Sequence, residues 1–208
     1  MRRRPVLAAA LATAVAFGPW SHAAPTPQVT DPAGDANFLN GQGIVKPPSN
    51  DNPTPVGSQA YADVVSVLWE KAGRNVRVTA TFSAPPAPPA GTRLVYRMLG
   101  TTPTCDFVGV VWYSSKSSDP AIPKAAVRDY CTGATVLTEV PEPKIDGANL
   151  IWTVPLSKFP KQAVGKTLTD LRVEIREMQD FGMPVNGAYG YAYGVIEQAV
   201  STGTFNLK

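Results

Sequence analysis

The chain has 208 residues, with 19 lysines and arginines, 16 aspartates and glutamates, one histidine and two cysteines. Arg2, Arg3 and Arg4 form the one basic block and the other charges are interspersed, which argues against a nucleic-acid partner or an anionic-membrane surface. The single histidine, His22, lies in the leader described next, so the mature chain is expected to lack imidazole, which excludes a Ser-His-Asp triad, a Cys-His pair and histidine metal sites.

Residues 1–23 have the pattern of a secretory signal peptide. Three arginines precede an apolar run from Val6 to Phe17, and Ser21-His22-Ala23 supplies a small-x-small exit. The apolar run is too short to span a bilayer, so a membrane anchor is the weaker reading. Cleavage is expected after Ala23, because a cut after Ala24 would place Pro25 at the scissile bond. The arginines leave both the general secretory and the twin-arginine route open. Their removal balances basic and acidic residues, so the sequence pI of about 8.9 belongs to the precursor. Residues 24–208 suit one domain with a core of its own, and no later apolar run approaches membrane-spanning length.

Residues 29–61 are polar and rich in Pro, Gly, Asn and Asp, and predict a loop ahead of the first main strand. From Ala62 onward the period becomes two. Val65, Val67 and Trp69 alternate with Ser66, Leu68 and Glu70; after Ala72-Gly73-Arg74-Asn75, Val76, Val78, Ala80 and Phe82 alternate again. This predicts a hairpin. The proline-rich stretch Ala84–Gly91 cannot join a ladder and reads as a stiff crossover. Strands are predicted over Arg93–Leu99 and Cys105–Ser114, the latter apolar on both faces and therefore central. A second hairpin is predicted from Ala125–Cys131 and Thr135–Val140, and a further strand over Asn149–Val154. Pro155–Phe159 predicts one helical turn. Strands around Leu171–Arg176, Tyr189–Tyr193 and Val200–Leu207 complete the chain. The sum is an all-β protein, an antiparallel β-sandwich of jelly-roll type with nine or ten strands.

Cys105 and Cys131 are the only cysteines, and in an exported chain the pair reads as a disulfide. It would close a loop of about 27 residues, contributing roughly 3–4 kcal/mol in the chain-entropy model.

Asp31, Asp35 and Asn37 place two carboxylates and a carboxamide within seven residues of a turn-forming loop, and Asp63 stands at the mouth of the first strand. Hard cations such as calcium take six to eight oxygen ligands of this kind. Asx-turn capping with no metal accounts for the same spacing. The sequence Asp31-Pro32-Ala33-Gly34-Asp35-Ala36, followed by a polar loop and by Ala62-Asp63-Val64-Val65-Ser66-Val67, resembles the start of DOMON-like domains, among them the family 9 carbohydrate-binding modules. Trp152-Thr153-Val154-Pro155-Leu156-Ser157-Lys158-Phe159 and Thr167-Leu168-Thr169-Asp170-Leu171 are similar to later stretches of such domains. The resemblance implies a β-sandwich, a structural calcium ion held at Asp31, Asp35 and Asp63, and binding in place of catalysis. No motif for a sugar pocket carries over, and haem ligation would need the missing histidine.

Trp69, Trp112 and Trp152 sit within apolar strands and are expected in the core. Tyr189, Tyr191 and Tyr193 are spaced by Gly190 and Ala192 and are candidate stacking residues for sugar rings. Glu174, Arg176, Glu177 and Asp180 read as a solvated charged face; a glycoside hydrolase built on such carboxylates is the weakest alternative. The expected function is a secreted, non-enzymatic module, stabilised by a calcium ion, that binds a carbohydrate or another extracellular component. A secreted protein-interaction or hydrolase-inhibitor role is the alternative, with Ala84–Gly91 or Ser114–Pro123 as the contacting loop. The sequence leaves the ligand's identity and the oligomeric state open.

Overall fold

The computed structural model describes residues 25–31, 60–88, 94–115, 122–185 and 188–208, and the side chains among these apart from those of residues 177–198. The expected leader (residues 1–23), Asp35 and Asn37 lie outside the described residues. The described elements are strands β1 (Val29–Thr30), β2 (Val64–Ala72), β3 (Asn75–Phe82), β4 (Leu94–Thr102), β5 (Cys105–Tyr113) and β6 (Ala125–Asp129), then β7 (Val136–Glu139), β8 (Lys144–Asp146), β9 (Asn149–Pro155), β10 (Thr167–Val185), β11 (Ala188–Ser201) and β12 (Phe205–Asn206). One 3-10 turn, Leu156–Lys158, follows β9 where a helical turn is expected.

Two antiparallel sheets face each other. The smaller has the order β1-β2-β3-β9-β8; the larger runs β11-β10-β4-β5-β6-β7, with β12 paired to β10. The architecture is the expected all-β sandwich, with twelve strands in place of nine or ten. The extra ones are β1 and β8, of two and three residues, too short to show a period. The proline-rich segment after β3 carries the chain from the smaller sheet to the larger, as its stiffness suggests. The pairs β3–β9 and β4–β10 join strands far apart in sequence.

The core lies between the sheets and follows from the alternation. Val76, Val78, Ala80 and Phe82 of β3 and Leu150, Trp152 and Val154 of β9 meet Leu94, Tyr96 and Met98 of β4 and Val108, Val110 and Trp112 of β5. Tyr96 bridges the layers: its ring packs edge-on against Phe82 at 5.6 Å and stacks on Trp112 at 5.1 Å. Each large side chain buried this way contributes about 1.5–3 kcal/mol. Trp69, Trp112 and Trp152 are all buried, as their apolar neighbours predict. Their indole N–H groups find no acceptor among the described residues, so these rings act as apolar filling. Cys105 and Cys131 are disulfide-bonded, tying the start of β5 to the residue that follows Tyr130 at the end of β6.

The larger sheet is also buried on its outer side. Val95, Val111, Tyr113 and Ala126 form a second apolar cluster there, with Ile122 and Leu137 against it. β5 is therefore central and closed on both faces, as its sequence predicts. This second layer positions the charged groups described next.

Candidate ligand-binding face

Strand pairing sets charged side chains side by side on the outer face of the larger sheet. Arg97 of β4 lies opposite Glu174 of β10, and Arg172 and Arg176 flank Glu174 at two-residue spacing on the same strand. Arg97 Nη1 stands 3.5 Å from Glu174 Oε2; Arg176 Nη2 is 3.0 Å from the same oxygen, and its Nε donates to it at 3.2 Å. Arg172 Nε reaches Glu174 Oε1 at 3.4 Å. Arg97 and Glu174 are each only 7 % exposed. The sequence reading of Glu174 as part of a solvated face is thus corrected: neighbours from both β4 and β10 close over it.

Among the described side chains Glu174 pairs with three arginines, and Arg128 is near. Burial lowers the Arg97 pKa from 12.5 to about 10, and the charges of Arg128 and Arg176 push the same way, while Glu174 and the Tyr113 hydroxyl oppose. Arg128 of β6 stacks over the Phe107 ring at 5.1 Å, and Phe107 packs against Tyr130 at 5.6 Å. Such stacking holds a guanidinium flat and leaves its edge available for hydrogen bonds. Arg128, Arg172 and Arg176 all keep partial exposure. The face therefore combines a buried ion-pair centre, a surplus of guanidinium groups at its rim and an aromatic pair.

Of the residues singled out in the sequence, Tyr189, Tyr191 and Tyr193 occupy alternate positions of β11 in this same sheet. They pair with Pro184, Asp180 and Met178 of β10. Asp31 follows the edge strand β1, and Asp63 immediately precedes its neighbour β2. The Asp31 N–H donates to the Val65 carbonyl at 3.0 Å, which sets Asp31 across from the strand that Asp63 opens. Asp63 is 1 % exposed, and its Oδ2 accepts a hydrogen bond from the Ser83 hydroxyl. The Ser83 N–H donates to the Asp63 carbonyl at 2.9 Å. Among the described residues no group of three or more His, Cys, Asp or Glu side chains is placed to hold a metal ion.

Sequence reasoning missed Arg97, Arg128 and the Phe107–Tyr130 pair. The available signal was one arginine inside the apolar run Leu94–Leu99, where a charge needs a partner. Among the described residues no helix is long and apolar enough to cross a membrane. No protein-family model, curated protein or solved structure matches this chain.

Proposed function

We propose that the chain is an exported, non-enzymatic β-sandwich module that holds an extracellular carbohydrate on the outer face of its larger sheet, the DOMON-like role its sequence resembles. The observation that carries this reading is the cluster of part-exposed guanidinium groups, Arg128, Arg172 and Arg176, on the Glu174 face. Arginine forks match carboxylate and sulfate groups in a bidentate way, so the favoured carbohydrate is an acidic one. Phe107 and Tyr130 supply an aromatic surface beside those forks. On a glycan array, uronate- or sulfate-bearing chains are expected to bind and neutral chains to bind weakly. The double variant Arg128→Ala/Arg172→Ala should reduce the acidic signal about tenfold or more, since each charge-assisted contact contributes about 1.5–3 kcal/mol. Selective binding of neutral glycans, or an unchanged signal in the variant, would remove this reading.

Calcium has a place in the same proposal. Asp31, Asp35, Asn37 and Asp63 are hard oxygen donors of the type calcium takes, and Asp31 and Asp63 lie at the adjoining ends of the paired strands β1 and β2. A bound ion would tie Asp31, just after β1, to Asp63, just before β2. Calcium should raise the melting temperature and EDTA should lower it, because an ion held only by the folded chain stabilises it by mass action. A melting temperature indifferent to both would leave the Asx-turn reading of this loop.

A further inference from the structure

Three segments far apart in sequence bring four cations to one open cleft of about 850 Å³. The β2–β3 turn contributes Lys71 and Arg74, the turn after Phe159 contributes Lys161, and Lys208 lies alongside. Backbone bonds hold the parts together. The Leu156 N–H donates to the Arg74 carbonyl at 2.9 Å, and the Val164 N–H to the Pro160 carbonyl at 3.1 Å. Leu207 locks the last turn, accepting from the Gly165 N–H at 2.6 Å and donating to the Lys166 carbonyl at 2.9 Å. The cleft is thus built by the fold and does not depend on a ligand to assemble it.

Among the described residues no aspartate or glutamate lines it. Outside the cleft, among the described residues, Lys124 pairs with Glu142 at 2.7 Å and Lys144 with Asp146 at 3.0 Å, while Lys158 and Lys166 form no ion pair. Among the described residues none of the four cleft cations forms an ion pair. Beneath them Leu156, Phe159 and Val164 make an apolar wall. The volume falls in the range of roughly 300–1,000 Å³ typical of small-molecule sites, far above what a lone inorganic anion fills.

We infer that this cleft binds a small amphiphilic anion, its phosphate or carboxylate head among Lys71, Arg74, Lys161 and Lys208 and its apolar body against Leu156, Phe159 and Val164. The site is separate from the arginine face of the larger sheet and does not rest on the carbohydrate reading. The apolar wall of Leu156, Phe159 and Val164 is small enough for the tail of one molecule, which favours a soluble amphiphile over a bilayer.

Isothermal titration of the exported chain with octyl phosphate is expected to show saturable one-to-one binding. The charge-reversed pair Lys71→Glu/Lys161→Glu should weaken it about tenfold or more, a factor of ten being about 1.4 kcal/mol. Both lysines are exposed, so the melting temperature of this variant should hold. Val164→Ser should weaken it too, and inorganic phosphate should bind far less tightly. The inference is overturned by absent binding, by equal binding of octyltrimethylammonium, or by full affinity in the charge-reversed variant. Capture by phosphatidylglycerol vesicles with no binding of soluble octyl phosphate would also overturn it, in favour of a lipid surface. Inorganic phosphate binding as tightly as octyl phosphate would do so by removing the apolar body from the ligand.

Discussion

Replacing Glu174 by alanine is expected to destabilise the folded chain by about 3–5 kcal/mol, the usual penalty for leaving a buried charge without its counterion. The carboxylate has Arg97, Arg172 and Arg176 within 3.0–3.5 Å, so its loss leaves three guanidinium groups to repel one another. Arg97 bears most of the effect because it is only 7 % exposed, and its cation is already disfavoured by burial and by Arg128 and Arg176. Urea denaturation at neutral pH measures the loss directly. Glu174→Gln should recover part of it, since the amide oxygen still accepts hydrogen bonds while the charge is gone. The double variant Glu174→Met/Arg97→Met should be milder than Glu174→Ala alone, because removing both buried charges also removes their desolvation penalty. A loss under about 1 kcal/mol for Glu174→Ala would mean the network behaves as an exposed surface pair.

Exchanging both Cys105 and Cys131 for alanine should lower stability by roughly 3–4 kcal/mol, the chain-entropy value for a loop of this length. The cysteines are 26 positions apart. The bond reinforces a junction that the backbone already makes, with the Asp106 N–H donating to the Tyr130 carbonyl at 3.2 Å and the Tyr130 N–H to the Phe107 carbonyl at 2.9 Å. Because those hydrogen bonds persist, the variant should fold to the same sandwich with a lower denaturant midpoint. Phe107 and Tyr130 sit beside the bridge, so the aromatic part of the arginine face should loosen with it. Reductant should reproduce the shift in the unmodified chain. A midpoint indifferent to both treatments would show that the unfolded chain gains little freedom when the loop opens.

The two experiments probe different levels of what the sequence discloses. Strands with one buried face are plain in the sequence: the alternations in β3 and β9 mark the residues that the core contains. The central place of β5 is equally legible, since both its faces are apolar. Local spacing says nothing of β1 and β8, which are defined by their neighbours' hydrogen bonds. β10 also runs well beyond the expected Leu171–Arg176, because pairing with β11 carries it to Val185 across a glycine and a proline.

The arginine face was hidden for a related reason. Glu174 and Arg97 are 77 positions apart, and only the pairing of β10 with β4 makes them partners. Without that register, Glu174 and Arg176 look like any alternating charged edge. The basic cleft is hidden further still: Lys71 and Arg74 share one turn, and Lys161 and Lys208 come from segments far from it in sequence. The pair Asp31 and Asp63 stands between these cases. The sequence marks both residues, and the hydrogen bond from the Asp31 N–H to the Val65 carbonyl sets Asp31 beside the start of β2, which Asp63 precedes.

The double closure of β4 sets unequal limits on how this chain can drift. From Leu94 to Gly100 every position is buried, whereas β3 hides only every second residue. Random substitution should therefore be accepted at half the sites of β3 and at almost none in the first seven of β4. Distant descendants of a common ancestor would keep their recognisable spelling in that strand long after the smaller sheet had changed beyond matching.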